Sequence, residues 1–194
     1  MNENRDVRQV RCMPQRFQTR EADDGVPIIE GYFSVFNSPY VLWDGASEII
    51  KPGAFANCLG QDVRALINHQ STLVLGRNKS GTLELKEDSR GLWGSIRVNR
   101  ADQDAMNLYA RVQRGDVDQC SFGFTIKRET LVDLGGGQYR WEIEEIDRLA
   151  EVSVCTFPAY EGTNVEARQR ELKDMEARRA EVWRENMKRK IGGI

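Results

Sequence analysis

Histidine is scarce in this chain of 194 residues, and His69 is its single example. A serine nucleophile that relies on a histidine base needs that base within hydrogen-bond reach, so only one residue could serve. His69 ends the apolar stretch DVRALINHQ and precedes a polar loop, a position where rigid scaffolds often hold functional side chains. The same position equally suits a strand-end histidine with a satisfied hydrogen bond.

The four cysteines lie far apart and form no CxxC motif and no Cys/His cluster. This spacing indicates neither a zinc site nor a disulfide framework. We therefore expect no metal and no cofactor, and reduced thiols in a cytoplasm. The residues concerned are Cys12, Cys58, Cys120 and Cys155.

Long apolar runs are missing as well. The longest, Val63–Ile67 and Val152–Phe157, are far shorter than a membrane-spanning helix, and the start MNENRDVRQVR lacks the apolar segment of a signal peptide. The formal net charge is -2, which implies no general attraction to nucleic acid. We expect neither a membrane nor a nucleic-acid partner.

The segment DQCSFGF alternates with the period of a β-strand. Cys120, Phe122 and Phe124 would share the side that is buried, whereas Ser121 and Gly123 would lie on the other. A serine beside a glycine on the open face would have an accessible hydroxyl, which suits a nucleophile. The alternative is an ordinary half-buried strand with a serine on its solvent face.

Cys120 is a competing nucleophile next to Ser121. Neighbouring side chains in a strand face opposite ways, so at most one of the two can face a site. A cysteine hydrolase that uses Cys120 stays an open hypothesis.

Short strands separated by closely spaced turns predict an antiparallel sheet or barrel. A first strand could begin at Arg16 to Thr19, a short helix could run from Pro52 to Gly60, and a longer helix should be capped by Asp102 and ended by Gly115. The other expected strands are Ile28–Asn37, Glu48–Lys51, Asp62–Gln70, Leu73–Arg77, Gly81–Glu87 and Gly91–Val98.

A long hairpin should follow, because the chain from Ser121 turns at a run of three glycines and returns as QYRWEIEEIDRLAEVSVCTF. A turn centred on Gly136 without bulges would place Ser121 opposite Glu151. A bulge would shift that register, and a slip by one residue would turn the side chain to the other face. On this register Glu151 and Ser153 share the polar face.

Residues 166–194 differ in composition from the rest. They are densely charged and only loosely periodic, as expected of a solvated helix or a partly disordered tail. A partner-binding helix anchored by Trp183 is the functional alternative. We expect an arm at 1–15, one domain at 16–165 and this tail.

Several motifs occur in a specific order: GYFSVFN, KPGAF, ALINHQ, RGDVDQCSFGF and AEVSVCTFPAY. Together they closely resemble the prohead proteases of tailed bacteriophages, the serine proteases of capsid maturation, from about Arg16 to Val165. The resemblance implies an α+β fold similar to herpesvirus assemblin, with a mostly antiparallel closed β-barrel flanked by helices.

The resemblance also implies a catalytic set. The family's histidine, serine and glutamate fall on His69, Ser121 and Glu151. Assemblins use a second histidine as the third member, which this chain lacks, so either an acidic residue takes that role or the site works as a dyad. Asp147 is the runner-up for the acidic residue, and Glu145 and Asp118 are weaker candidates.

The oxyanion hole of such a site has two possible sources. No glycine-serine-glycine elbow surrounds Ser121, so oxyanion donors should come from a neighbouring loop, either residues 75–77 or residues 158–160.

By the same resemblance, the expected function is a serine endopeptidase that cleaves the amino-terminal delta region of the major capsid protein or a scaffolding protein. It would often cleave itself, and it would act in the host cytoplasm inside the assembling prohead. Self-association is a further expectation. The competing hypothesis is a capsid-assembly or scaffolding component that keeps the barrel without catalysis.

Overall fold

The computed structural model describes residues 7–157 and 162–191. The chain divides into two compact units, residues 1–160 and 161–194. Neither described helix is long and apolar enough to cross a membrane. The strands are β1 (Gln9–Pro14), β2 (Gln18–Glu21), β3 (Pro27–Val35), β4 (Tyr40–Trp43), β5 (Ala46–Ile50), β6 (Arg64–Ile67), β7 (Gln70–Arg77), β8 (Leu83–Glu87), β9 (Gly91–Arg97), β10 (Gln119–Gly135) and β11 (Gln138–Cys155), and the helices are α1 (Gln103–Arg114) and α2 (Gly162–Ile191).

The long hairpin of β10 and β11 is the centre of the first unit. Its strands are 17 and 18 residues long and turn at Gly136 and Gly137, which confirms the predicted hairpin. Both glycines have positive φ, 62° and 78°, a conformation that glycine adopts without steric cost. The edge of β10 that does not face β11 pairs with β1 from Gln119 to Phe124. Over these residues β10 therefore has a hydrogen-bonded strand on each edge.

The other edge of β11 carries two separate partners. Its first part pairs in parallel with β5, and its last part, from Glu151 to Val154, pairs in parallel with β6. The sheet therefore branches along β11 into β5–β4 and β6–β7. The expected closed barrel is wrong, because within residues 7–157 the strands form a branched seven-stranded sheet and a separate four-stranded sheet, neither of which closes on itself. The fold is α+β and mostly antiparallel, as predicted.

The second sheet has the order β2-β3-β9-β8. Apolar side chains from both sheets and from α1 form one core, and Phe33, Ile96, Phe122 and Leu108 are among its buried members. Burial of apolar area is the main stabilising contribution to such a core. The side of β10 that carries Phe122 faces this core, as its alternation predicted, and the side that carries Ser121 faces away from it.

Local sequence signals predicted one helix well and another poorly. Asp102 accepts hydrogen bonds from the N–H groups of Asp104 and Ala105, and Gly115 ends α1 in the left-handed conformation, both as predicted. The expected helix from Pro52 to Gly60 is wrong, because this segment forms consecutive turns. Gly53 has a φ of 89°, which is incompatible with a helix at that position.

Glu87 explains the compact shape of this turn segment. Its carboxylate accepts hydrogen bonds from the N–H groups of Gly53 and Phe55 at 2.5 and 2.9 Å. A contact between residues so distant in sequence leaves no local signal.

The predicted amino-terminal arm, residues 1–15, contains β1. Arg11 of β1 is 5% exposed and donates to both carboxylate oxygens of Glu48, at 2.6 and 2.9 Å. Glu48 is 1% exposed. Such a bidentate pair fixes β1 against β5 with both position and orientation specified.

The second unit contains α2, the charged helix of the tail. Its 30 residues are helical, so the helix interpretation of this segment is confirmed over Gly162–Ile191. The side chain of Trp183 is exposed on it. Its role as an anchor for a partner stays a prediction.

Glu48→Ala should strongly destabilise the first unit, because it leaves the buried Arg11 guanidinium without its carboxylate. Breaking a buried ion pair by removing one partner typically costs about 3–5 kcal/mol. Urea unfolding followed by circular dichroism measures the change. The matched control is Glu21→Ala, which breaks an ion pair with Arg100 whose side chains are 64% and 56% exposed and should change stability far less. Equal effects of the two substitutions would contradict this account of β1.

Candidate active site

His69 lies in the tight turn between β6 and β7. Ile67 pairs with Gln70, and the two residues between them, Asn68 and His69, have φ values of 49° and 61°. Positive φ at both central residues is the pattern of a type I′ hairpin turn, in which asparagine is favoured at the first position. The Asn68 side chain also accepts a hydrogen bond from the N–H of Thr156 at 2.9 Å. The turn is thereby fixed to the end of β11.

Ser121 lies in β10 with a strand on either side. Its Cα is paired with Cys12 of β1 and with Ser153 of β11. The residue is 0% exposed, and its hydroxyl donates to the backbone oxygen of Arg11 at 3.0 Å. The expectation that its oxygen is open to approach is wrong, because strand β1, unrecognised in the sequence, covers that edge of β10.

Glu151 lies on the same face of the sheet as Ser121, but the strand register differs from the predicted register without bulges. Near the turn the pairing is as predicted, with Asp133 opposite Tyr139, but irregularities between Ile126 and Gly123 shift it by two residues. Glu151 therefore lies opposite Gly123. A shift of two residues restores the side-chain direction, so Glu151 keeps the predicted face although its partner has changed.

Gly123 makes room for the Glu151 side chain. A Cβ atom at this position would lie 2.6 Å from Glu151 Oε1 and 2.7 Å from Arg8 Nε. The glycine beside Ser121 therefore accommodates the carboxylate of Glu151, which is a different role from exposing the serine.

The Glu151 carboxylate is the centre of a buried hydrogen-bond cluster. Its Oε1 atom lies 2.8 Å from His69 Nδ1 and 2.7 Å from Arg8 Nη2, and its Oε2 atom accepts a hydrogen bond from Ser153 Oγ at 2.5 Å. Glu151 is 3% exposed. The other ring nitrogen of His69, Nε2, is buried and has no hydrogen-bond partner within residues 7–157 and 162–191.

Charge and burial act in opposite directions on the pKa of His69. Burial would lower it, whereas the neighbouring side chains of Cys12 and Cys155, the hydrogen bond with Glu151 and the negative charge of Glu151 raise the pKa above its ordinary value. Burial would raise the pKa of Glu151, but hydrogen bonds with His69 and Ser153 and the charges of His69 and Arg8 hold that pKa below its ordinary value. Glu151 is therefore ionised at neutral pH and stabilises the imidazolium form of His69.

The other acidic candidates lie elsewhere. Asp147 is exposed, and its backbone oxygen accepts a hydrogen bond from Gln61. Glu145 contacts Asn57, Lys127 and Arg128. Asp118 accepts from the neighbouring Gln119 side chain. Of the four carboxylates, Glu151 is the one with a hydrogen bond to His69.

Cys120 is unsuited to act as the nucleophile. It lies in the core on the opposite side of β10 from Ser121, and it is 0% exposed. Burial raises the pKa of its thiol well above the ordinary value, which keeps it protonated.

The two predicted sources of oxyanion donors are residues 75–77 and residues 158–160. Residues 158–160 lie outside the described residues. In residues 75–77, the N–H of Arg77 donates to Thr82 Oγ1 at 2.9 Å and is engaged, and Leu75 is buried.

Sequence reasoning missed three neighbours of His69 and Glu151, namely Arg8, Cys12 and Cys155. Nothing in their local sequence marks them, because strand pairing brings them to the site. Within the described ranges, no group of three or more His, Cys, Asp or Glu side chains is arranged to hold a metal ion.

This arrangement can support nucleophilic chemistry. A buried carboxylate fixes Nδ1 of the ring, an unpartnered Nε2 can accept a proton, and a serine hydroxyl lies on the same face of the sheet. Residues 15–178 match the family model of the caudovirus prohead serine protease. The chain belongs to this family.

Two individual proteins are similar to this family member. It is 35% identical to the prohead protease of Enterobacteria phage HK97 over 144 residues, which are 72% of this chain and 59% of that protein. The match thus spans less than two thirds of the relative's length. The structure of the bacteriophage T4 capsid assembly protease gives a TM-score of 0.49 at 12% identity, covering 76% of this chain and 96% of that one.

Replacing Glu151 with glutamine should lower the pKa of His69, since the substitution removes the negative charge that stabilises the imidazolium. His69 is the chain's only histidine, so its ring signals in a ¹H–¹⁵N spectrum can be titrated without ambiguity. The matched control is Glu145→Gln, a substitution on the same strand away from the ring, which should leave the titration unchanged. An unchanged pKa in Glu151→Gln would show that the contact does not determine the charge of His69.

Gly123→Ala should displace the carboxylate, because the new methyl group would overlap Glu151 Oε1 and the Arg8 guanidinium. We expect the pKa of His69 to fall in this variant too, towards its value in Glu151→Gln. Gly60→Ala is the control, because a Cβ atom there meets nothing within 4 Å. A wild-type His69 titration in a folded Gly123→Ala variant would contradict this role of the glycine.

Proposed function

We propose that this chain is a serine endopeptidase of phage capsid maturation. Ser121 is the nucleophile, His69 is the general base and acid, and Glu151 orients the imidazole. Membership of the prohead serine protease family supports the reaction class, and the match of His69, Ser121 and Glu151 to the family's motifs supports the roles.

The observation that carries this proposal is the buried hydrogen bond between His69 Nδ1 and Glu151 Oε1, at 2.8 Å, next to the strand that carries Ser121. A carboxylate on Nδ1 fixes the tautomer that leaves Nε2 free to accept a proton. Because Glu151 is ionised, it also stabilises the positive charge that His69 acquires during the reaction.

In the first step, Ser121 Oγ attacks the scissile carbonyl carbon while His69 Nε2 takes the hydroxyl proton. The resulting tetrahedral intermediate collapses to an acyl-enzyme, and the imidazolium gives the proton to the leaving amine. Water then repeats the sequence at the ester, with His69 again as base, and releases the second product and the free serine.

The hydroxyl of Ser121 must first leave its acceptor. In the structure it donates to the backbone oxygen of Arg11. Rotation of the side chain would release that bond, and exposure of the residue is required for a substrate carbonyl to approach, since Ser121 is 0% exposed. His69 must also be neutral to act as a base, so the raised pKa favours activity at higher pH.

The proposed substrates are the amino-terminal delta region of the major capsid protein or a scaffolding protein, and the protease itself. The enzyme would act in the host cytoplasm, inside the assembling prohead. No metal or cofactor enters the mechanism. Residues 16–165 would form the protease domain, and the charged tail would carry the protease into the shell or be removed by self-cleavage.

A second candidate function is a non-catalytic capsid-assembly or scaffolding component. The complete burial of Ser121 and its bond to Arg11 favour this alternative, because a working nucleophile has to meet its substrate. The two functions differ in whether the capsid protein is cut.

Co-expression with the major capsid protein of the same phage should yield a discrete amino-terminal truncation with the wild type and none with Ser121→Ala or His69→Ala. Losing the serine or histidine of a triad costs on the order of 10⁶ in turnover, whereas losing the carboxylate costs about 10⁴. Intact mass measurement detects the truncation and locates the cleavage site. Glu151→Gln should therefore keep a trace of activity, and Asp147→Asn should resemble the wild type.

A fluorophosphonate probe identifies the nucleophile independently. Trypsin separates Ser121, in residues 115–127, from Ser153, in residues 149–168, so the mass of the labelled peptide distinguishes them. Cleavage by both the wild type and Ser121→Ala would show that Ser121 is not the nucleophile. Assembled shells with uncut capsid protein in both cases would support the scaffolding function.

A further inference from the structure

Ser153 is the second serine of the cluster around Glu151. It lies two residues after Glu151 on β11, so both side chains share one face of the strand. Its Oγ atom donates to Glu151 Oε2 at 2.5 Å and lies 3.5 Å from His69 Nδ1. The residue is 0% exposed, so water does not compete for this hydroxyl.

The two oxygens of the Glu151 carboxylate have different partners. Oε1 faces His69 and Arg8, whereas the partner of Oε2 is Ser153. A buried carboxylate oxygen that loses its donor carries a desolvation penalty and gains by turning towards another one. The hydrogen bond from Ser153 therefore opposes rotation of the carboxylate away from the ring.

The position of Ser153 relative to the imidazole separates its role from that of a nucleophile. It lies on the Nδ1 side of the ring, where the ring already contacts Glu151. A nucleophile must deliver its proton to the other nitrogen, Nε2, which has no partner within the described part of the chain. Ser153 is therefore placed to act on Glu151 and through it on His69.

We propose that Ser153 is a positioning residue, whose hydroxyl holds the Glu151 carboxylate in the orientation that binds His69 Nδ1. This inference rests on the proposed function only for its effect on cleavage. Its effect on the ring of His69 follows from the hydrogen bonds alone.

The test is a double-mutant cycle of Ser153→Ala and Glu151→Gln, with the His69 ring titrated by ¹H–¹⁵N spectroscopy in all four proteins. In Ser153→Ala the pKa of His69 should fall by part of the change seen in Glu151→Gln. In the Glu151→Gln background, Ser153→Ala should produce no further change, because its target is already absent. Ser34→Ala, which alters another buried serine in β3, should have no effect.

The same four proteins should show the same pattern in the rate of capsid-protein cleavage. Ser153→Ala alone should slow cleavage about 10- to 100-fold, the range expected for one hydrogen bond to a charged group. It should not slow cleavage further when Glu151 is already glutamine. If Ser153→Ala does not fold, Ser153→Cys keeps the volume with a much weaker donor and should show the same cycle.

Three results would overturn the inference. An unchanged or raised His69 pKa in the Ser153 variants would mean that the hydroxyl does not hold the carboxylate on the ring. Equal losses in both backgrounds would mean that Ser153 acts independently of Glu151. Fluorophosphonate labelling of residues 149–168 would make it the nucleophile. A failure of the proposed function is recognised separately, because Ser121→Ala would then cleave like the wild type.

Discussion

A carboxylate buried away from water requires partners, and Glu151 has three within hydrogen-bond distance. Each comes from a different place in the fold: Arg8 precedes β1, His69 lies in the turn between β6 and β7, and Ser153 follows on β11 itself. The free-energy cost of an unpaired buried charge is several kcal/mol, so this cluster constrains the strands that supply its members. The order β1-β10-β11-β6 is what brings them together.

Local patterns predicted the parts of this arrangement that depend on local physics. The period of two along DQCSFGF identified which side of β10 is buried, and the cap at Asp102 and the glycine at 115 gave the ends of α1. The face shared by Glu151 and Ser153 was also predictable from alternation. The predicted face is kept because two irregularities in the β10–β11 pairing, at Asp147 and Ala150 of β11, displace the register by two residues in total, whereas a displacement by one would have turned Glu151 into the core.

Pairings between strands distant in sequence are harder to predict from the sequence. The sequence predicts only an arm at residues 1–15, yet this segment contains β1, in which the polar residues Gln9 and Arg11 are 1% and 5% exposed. Arg11 is buried because Glu48 balances its charge, 37 residues away in sequence. The branching of the sheet along β11 is also a long-range feature, because it depends on both β5 and β6 pairing with the same edge of β11. Neither feature can be read from alternation alone.

Strand β1, which the sequence did not predict, also contributes to the burial of Ser121 and accepts the hydrogen bond of its hydroxyl. In a sheet, each strand that adds to an edge buries side chains next to it, and β1 lies against the edge of β10 where Ser121 is found. The backbone oxygen of Arg11 in β1 accepts a hydrogen bond from the Ser121 hydroxyl, and Arg8, the residue just before β1, shares Glu151 Oε1 with His69. Both contacts compete with those that the proposed reaction needs: the serine must turn to Nε2, and the carboxylate must serve the ring. The position of β1 therefore affects both Ser121, the proposed nucleophile, and Glu151, the carboxylate proposed to orient His69, so the arrangement of these three residues depends on it.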